Sequence, residues 1–281
     1  MIGGKPFPLR PYELIFGGFL LLMAGRLEAP HALLFVGLLG LTAVVIFAAP
    51  DRLRLLYYPV ALQAGYFLLG PSMKVLGVAK ADDLLQAVDH RLIGGNLCIA
   101  LEPFTHPVLT DVMSACYLLF FPYLILSHLD FFRRDEDTLH RFCDGLYTIY
   151  AAGLVGYVLL PAAGPYVAMA DRFHAPLEGG WLTRIHQAIV VSGTNGVDVF
   201  PSLHCAVTAF LLFFDRRRAP GRYRALLVPT AILWMSTIYL RYHYFIDVVS
   251  GFALAGAGLL LAERRGPLME RRKRSLKQVH S

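Results

Sequence analysis

Charge is scarce in this sequence. Only 16% of its 281 residues are Asp, Glu, Lys or Arg, against about a quarter in an average soluble domain. Hydrophobic residues make up 56%, mean hydropathy is +0.54, and the apolar residues come in blocks. That combination excludes an ordinary soluble domain and points to a chain that crosses a membrane several times. Cysteine is sparse too. Cys98, Cys116, Cys143 and Cys205 form no CxxC pair, which excludes a disulfide framework and a cysteine zinc site. Cys116 and Cys205 fall in apolar stretches, where cysteine acts as a small hydrophobe. There is no internal repeat and no low-complexity segment. The net charge of +6 does not indicate a nucleic-acid partner. The basic residues lie in turns and a tail with no aromatic-interleaved patch, and orientation in a bilayer accounts for them.

What is present is a series of apolar stretches. Eight are candidate spans: 11–28, 31–49, 55–73, 107–128, 141–161, 201–215, 222–241 and 244–262. The expected fold is all-α, a polytopic transmembrane helical bundle in one integral membrane domain over residues 1–281, with N-terminal spans in 1–80. Lys5 and Arg10 ahead of an apolar run from Leu14 imitate a signal peptide. Glu28, Pro30 and His31 interrupt the cleavage pattern, so the first span is read as uncleaved.

Basic residues set the orientation. With the N-terminus inside, inner segments hold 19 of the 26 Lys and Arg, including Arg216, Arg217, Arg218, Arg222, Arg224 and seven in the tail. Outer segments hold seven, among them Arg91, Arg172, Arg184 and Arg241. Cytoplasmic loops collect Lys and Arg, so both termini are expected inside. The compact size and short loops fit a bacterial inner membrane. The tail 263–281 carries seven basic residues against two acidic ones, suited to anionic headgroups on the inner leaflet.

Two outer segments exceed simple turns. In 81–104, Leu84, Leu85, Val88, Leu92 and Ile93 stand near helical spacing among Asp82, Asp83, Asp89 and Arg91. This predicts an amphipathic helix lying on the outer surface. The segment 162–199, with Arg172, His174, Arg184 and His186, leads into Pro201-Ser202-Leu203-His204. A loop of that length is a natural lid for a site there.

The chemistry-bearing residues lie near the C-terminus. His243 and Asp247 are four apart and share a helix face. A carboxylate there fixes the imidazole tautomer and leaves the other nitrogen as a nucleophile. Pro201 suits a helix start, so Ser202 and His204 lie where free N–H groups and the helix dipole attract an anion. His204 is then placed to donate a proton to a leaving oxygen. The antiparallel sixth and seventh spans, joined through 215–224, bring His204 and His243 to one membrane face. Two histidines and a carboxylate there are the parts of a phosphohistidine reaction on a phosphate ester. Each motif alone has a bland reading as a capping or interfacial group; together, at span ends facing a bundle, they suggest function.

These residues resemble the type 2 phosphatidic acid phosphatase superfamily. Pro201-Ser202-Leu203-His204 matches its Pro-Ser-x-His motif. The run from Ser236 to Asp247 matches Ser-Arg-x5-His-x3-Asp, except that Thr237 stands where the family has arginine. The family's upstream Lys-x6-Arg-Pro is not found before His204. The Tyr239–Asp247 and Leu160–Tyr166 segments look like the inositol phosphorylceramide synthase-like branch, with sphingomyelin synthases similar in their His/His-Asp logic. The resemblance is specific over about 155–255, the expected catalytic core. It implies a six-helix phosphatase-type core with extra N-terminal helices, and a metal-independent lipid phosphatase or headgroup phosphotransferase. His243 would be the nucleophile, Asp247 its orienting partner, and His204 the acid and then the base. No cofactor is implied. With the family's basic residues missing, Arg241 is the first substitute for phosphate binding, then Arg172 and Arg184, beside Ser202 and the helix amides. Expected partners are the lipid substrate and the membrane, with the active site on the extracytoplasmic side; nothing fixes the oligomeric state. Competing readings are a polyprenyl diphosphate phosphatase, a metal-dependent hydrolase using His204, His243 and Asp247 as ligands, and a non-catalytic lipid-binding or transport protein.

Overall fold

The computed structural model describes residues 9–279, with side chains through residue 264. Lys5 and most of the basic tail's side chains lie outside the described residues. Among those described there are thirteen α-helices and no strand; one isolated parallel bridge joins Ala162 to Asp198.

Each apolar stretch of the sequence is helical. The first three are α1 (Pro11–Arg26), α2 (His31–Ala48) and α3 (Asp51–Val75). The short helices α4 (Asp82–Ile93) and α5 (Leu97–Leu101) follow. The fourth stretch is two helices nearly end to end, α6 (Pro107–Leu118) and α7 (Phe120–Phe131). The fifth is α8 (Glu136–Leu159). The long segment 162–199 folds as the single turn α9 (Pro165–Ala168) and the helix α10 (Trp181–Gly193). Finally come α11 (Leu203–Arg218), α12 (Pro220–Tyr239) and α13 (Phe245–Val279). Among the described residues, four helical stretches are long and apolar enough to cross a membrane: His31–Ala48, Pro107–Phe131, Glu136–Leu159 and Phe245–Arg264.

The helix in 81–104 is shorter than that segment. The helix stops at Ile93 because Gly94 takes a left-handed φ of 76°, a conformation glycine adopts without steric cost. Asp82, Leu85 and Asp89 lie on its buried face, whereas Leu84 and Leu92 are exposed. The helix therefore turns two carboxylates, not only leucines, toward the bundle.

α8 is the central helix, packed by α1, α3, α11 and α13. Around it Phe131, Phe142, Phe210 and Phe214 stack in one aromatic cluster. Buried polar pairs pin the helices at the end opposite the two histidines. Arg54 of α3 donates from Nε to Glu13 of α1 at 2.6 Å, and Arg10 pairs with Asp51 at 2.6 Å. On the other side of that end Arg222 bridges Asp215 and Asp130. Outward-facing Leu33, Phe47, Val60, Val228 and Leu260 are exposed, an apolar belt of the kind that meets lipid.

Candidate active site

The end of α12 and the start of α13 form a tight loop that presents His243. The carbonyl of Thr237 accepts from the amides of both Tyr242 and His243, at 3.1 Å each. Arg241 takes φ 65° to make the bend. Asp247, wholly buried one turn into α13, accepts the amide of Tyr244 at 2.7 Å through Oδ2. The same oxygen lies 3.5 Å from His243 Nδ1, an ion-pair contact longer than a good hydrogen bond.

Two carboxylates of α4 brace this loop from outside. Asp89 accepts from the amides of Phe245 and Ile246 at 2.8 and 2.9 Å, satisfying free donors at the start of α13. Asp82 accepts from the amides of Ala163 and Gly164 at 3.0 and 2.9 Å, and from the Tyr244 hydroxyl at 2.9 Å. The 160–166 segment is thereby clamped beside the loop, where the Tyr166 amide donates to the Arg241 carbonyl at 2.8 Å.

α11 meets α13 at its own first turn. The Ser202 amide donates to the Asp247 carbonyl at 3.0 Å, while Ser202 Oγ accepts from the Cys205 amide at 3.4 Å as the helix cap. Gly251 makes this approach possible, because a Cβ there would stand 2.6 Å from the Ser202 carbonyl oxygen. His204 follows, with Nδ1 3.3 Å from the Tyr117 hydroxyl and its ring 4.4 Å from Phe120. The centroids of the His204 and His243 rings are 6.3 Å apart.

Both histidines line a cavity of about 770 Å³. Its walls run from Tyr66, Tyr166 and Tyr242 at the mouth to Leu56, His128 and Phe132 at the far end. Along α6 and α7 the lining extends from Tyr117 to Phe132, roughly 20 Å at 1.5 Å per residue. The cavity is polar at the histidine end and apolar beyond it. None of its described lining residues is Lys or Arg.

Ser202, His204, His243 and Asp247 come together as their spacing suggests. The three arginines stand elsewhere. Arg241 donates to the Ala175 carbonyl at 2.7 Å, lies 3.4 Å from Glu102, and stacks 4.0 Å over Phe173. It lines a neighbouring cavity of about 600 Å³ that shares Tyr166, Val190 and Tyr242 with the first. Arg172 reaches Gln86 at 3.2 Å and Arg184 the Gly180 carbonyl at 3.5 Å, both exposed on the lid. The amides of Ala175 and His174, with Arg241 nearby, hold the Glu102 carboxyl below the usual carboxylate range. Thr237, at the family's arginine position, is buried and donates to the Trp234 carbonyl at 2.8 Å beside Cys205.

Four side chains at the site escaped the motif reading. Asp82 and Asp89 stand seven apart, two turns of one helix face, which was their signal. Tyr117 is an aromatic residue with a polar tip inside an apolar run. His186 on α10 is fully buried among aromatic rings, and burial pushes its pKa down to about 4.

Among the described residues, one group of three potential metal ligands lies within common reach: Asp51, Glu136 and His140. It stands at the opposite end of the bundle, where Arg10 and Arg52 already pair with its carboxylates.

The chain belongs to the PAP2 superfamily, whose family model matches residues 84–261. It is 29% identical over 174 residues to the phosphoinositol dihydroceramide synthase of Bacteroides thetaiotaomicron, covering 56% of this chain and 57% of that protein. The chain thus spans a little over half the length of the curated relative it matches. No solved structure matches it. Family and apolar helices together mark an integral membrane protein.

Proposed function

We propose that the protein is a metal-independent lipid headgroup phosphotransferase that works through a phosphohistidine on the extracytoplasmic face. The observation that carries this reading is the pair His204 and His243, 6.3 Å apart across one cavity mouth, with Asp247 behind His243. Support for transfer of a diester comes from the lining. A phosphomonoester carries about −1.5 to −2 charge at pH 7, and burying it on a lining without Lys or Arg is costly. A phosphodiester monoanion suits the same walls better, and the relative from Bacteroides thetaiotaomicron is a phosphoinositol dihydroceramide synthase.

In this reading Asp247 holds the Nδ1–H of His243, and Nε2 attacks phosphorus. The P–O bond to the leaving alcohol breaks as His204 Nε2 gives that oxygen its proton. His204 Nδ1–H stays on the Tyr117 hydroxyl throughout. An incoming alcohol then loses its proton to His204 Nε2 and attacks phosphorus. The P–N bond breaks and His243 is restored. The first turn of α11, capped by Ser202, turns its positive dipole end toward the phosphoryl oxygens. Arg241, in the adjoining cavity, meets the anionic head on its way in, and Arg172 and Arg184 add positive charge at the lid. The apolar length of the cavity takes a lipid chain.

The eight helical stretches are eight spans in this arrangement, with both termini cytoplasmic in a bacterial inner membrane. α4 lies at the outer surface, and the basic tail meets the inner leaflet.

The test is headgroup transfer against phosphate release by purified protein with chelator present. The panel is lipid phosphates, phosphatidylinositol with ceramide or diacylglycerol, and polyprenyl diphosphate, with His243→Ala beside wild type. A new headgroup-bearing lipid, absent with His243→Ala, is expected. Free phosphate alone would make the protein a phosphatase. Silence on every substrate would favour a non-catalytic lipid-binding role.

A further inference from the structure

We propose that His186 is a substrate-binding residue, donating a ring N–H to a non-bridging oxygen of the phosphoryl group held between His204 and His243. This rests on the phosphotransfer reading and adds a third histidine to it.

His186 has no exposure, and neither ring nitrogen has a hydrogen-bond partner. Buried polar groups are nearly always paired, since an unpaired one costs about 1–3 kcal/mol. An imidazole unpaired at both nitrogens, on the wall of the cavity that holds the two catalytic histidines, is placed for a ligand. Its neighbours fix where the ligand lies. Its ring packs 4.8 Å from Tyr117 and 5.4 Å from Tyr242, by centroid. Tyr117 in turn lies 4.3 Å from His204, and Tyr242 immediately precedes His243. The rings of Tyr117, His186 and Tyr242 pack on one another, with Tyr117 and Tyr242 5.2 Å apart by centroid, and His204 joins them through Tyr117.

The scaffold holds His186 in place. Asp111 of α6 accepts at the start of α10 from the Gly180 and Thr183 amides at 2.9 and 3.0 Å, and from the Thr183 hydroxyl at 2.6 Å. Thr183 lies three residues before His186, so the carboxylate sets both depth and rotation of α10. The alternative role, a spacer between two tyrosines, is met equally well by phenylalanine and gives no reason for two polar atoms in a dry wall.

The chemistry suits this family member. The lining has no Lys or Arg, and Thr237 replaces the family's arginine. A buried neutral imidazole, its pKa lowered to about 4, offers one donor and one acceptor with no formal charge. That matches a monoanionic diester, whose charge spreads over two oxygens.

The test compares His186→Phe, which keeps the ring packing and removes both nitrogens, with His186→Gln, which keeps an N–H donor. Transfer kinetics and orthovanadate binding by calorimetry are read on purified full-length protein, with melting temperature as the control for folding. His186→Phe is expected to melt near wild type and lose about 10–100-fold in kcat/KM. Vanadate binding should weaken in parallel, and His186→Gln should restore a large part of both. Wild-type kcat/KM and vanadate affinity in His186→Phe would overturn the proposal, as would equal losses in both variants. If wild type transfers nothing, the phosphotransfer reading fails on its own. Vanadate binding then decides on His186: weaker binding by His186→Phe supports it, and no binding by either protein overturns it.

Discussion

Asp89 and Phe245 are 156 residues apart in sequence and joined by a 2.8 Å hydrogen bond from the Phe245 amide to the Asp89 carboxylate. A second oxygen of the same carboxylate takes the Ile246 amide. The helix that carries Asp247 therefore begins on a cap supplied by a separate helix, α4, and His243 hangs from that cap by two residues.

Removing the cap should loosen the nucleophile without touching the cavity, since Asp89 does not line it. Asp89→Ala is expected to lower stability by about 1 kcal/mol, as lost helix caps do. It should lower kcat by roughly tenfold through a misplaced His243, with KM little changed. Asp89→Asn, which keeps one acceptor, should fall between. Steady-state transfer kinetics on the two variants check this; unchanged kcat in Asp89→Ala would show that the cap does not position the nucleophile.

Asp247 tests the mechanism itself. Asp247→Asn keeps the shape but favours the wrong tautomer of His243, and kcat is expected to drop by about 10²- to 10⁴-fold. His243→Ala and His204→Ala should leave no measurable turnover. Acid-labile label retained on the protein after a single turnover with phosphorus-labelled donor would identify the phosphohistidine. His204→Ala, if it still forms the adduct with an activated leaving group, should trap it.

The helices and the His204, His243 and Asp247 trio were legible because they rest on local rules. Apolar blocks predict the helices, and His-x-x-x-Asp predicts one shared face. Ser202 could be read for the same reason, as a cap beside Pro201. The residues that hold the trio were not, because their partners are distant. Asp82 and Asp89 look like the polar side of an amphipathic helix until α13 is seen beneath them. The positions of the arginines were not legible either, again for a physical reason. Sequence distance placed Arg241 two residues from His243, but its left-handed backbone swings the guanidinium to Glu102 and the Ala175 carbonyl. A bend of one residue outweighs proximity in sequence.

That arrangement of Glu102 makes a pH prediction. Its carboxyl lies below the ordinary range, chiefly through the Ala175 amide. A carboxyl lowered by folding contributes stability above its unfolded value of about 4.3. The contribution is lost as pH falls through the lowered folded value. Hydrogen exchange at the His174 and Ala175 amides should therefore accelerate, relative to intrinsic rates, as pH drops below about 4. Glu102→Gln should show fast exchange at neutral pH. If Arg241 binds the incoming head, Arg241→Ala should raise KM more than Glu102→Gln does. Equal effects would make Arg241 only an anchor of this loop.

The buried pair of Glu13 and Arg54 offers a test of stability apart from the site. Both side chains are almost fully enclosed, and Glu13 also accepts the Arg10 amide at 2.8 Å. Removing one partner leaves an uncompensated buried charge, which typically costs about 3–5 kcal/mol. Glu13→Ala should sharply lower the melting temperature in detergent. Glu13→Gln together with Arg54→Met should recover much of the loss. A double variant as unstable as Glu13→Ala would show that the cost lies in packing and not in charge.

Two glycines on α13 separate the catalytic approach from the helix itself. At Gly251 a methyl group would stand 2.6 Å from the Ser202 carbonyl, a backbone atom that cannot turn aside; at Gly256 it would meet nothing within 4 Å. Gly256→Ala should be neutral or slightly stabilising, by up to about 1 kcal/mol, because alanine favours helix. Gly251→Ala gains the same propensity but must push α11 and α13 apart. Overpacking of this kind costs about 1–3 kcal/mol. The displaced element is the turn that bears Ser202 and His204, so the distance between His204 and His243 must change with it. Transfer activity is expected to fall at least tenfold in Gly251→Ala and to stay at wild type in Gly256→Ala. Equal activity in both would mean that the first turn of α11 is not held at its catalytic distance by this contact.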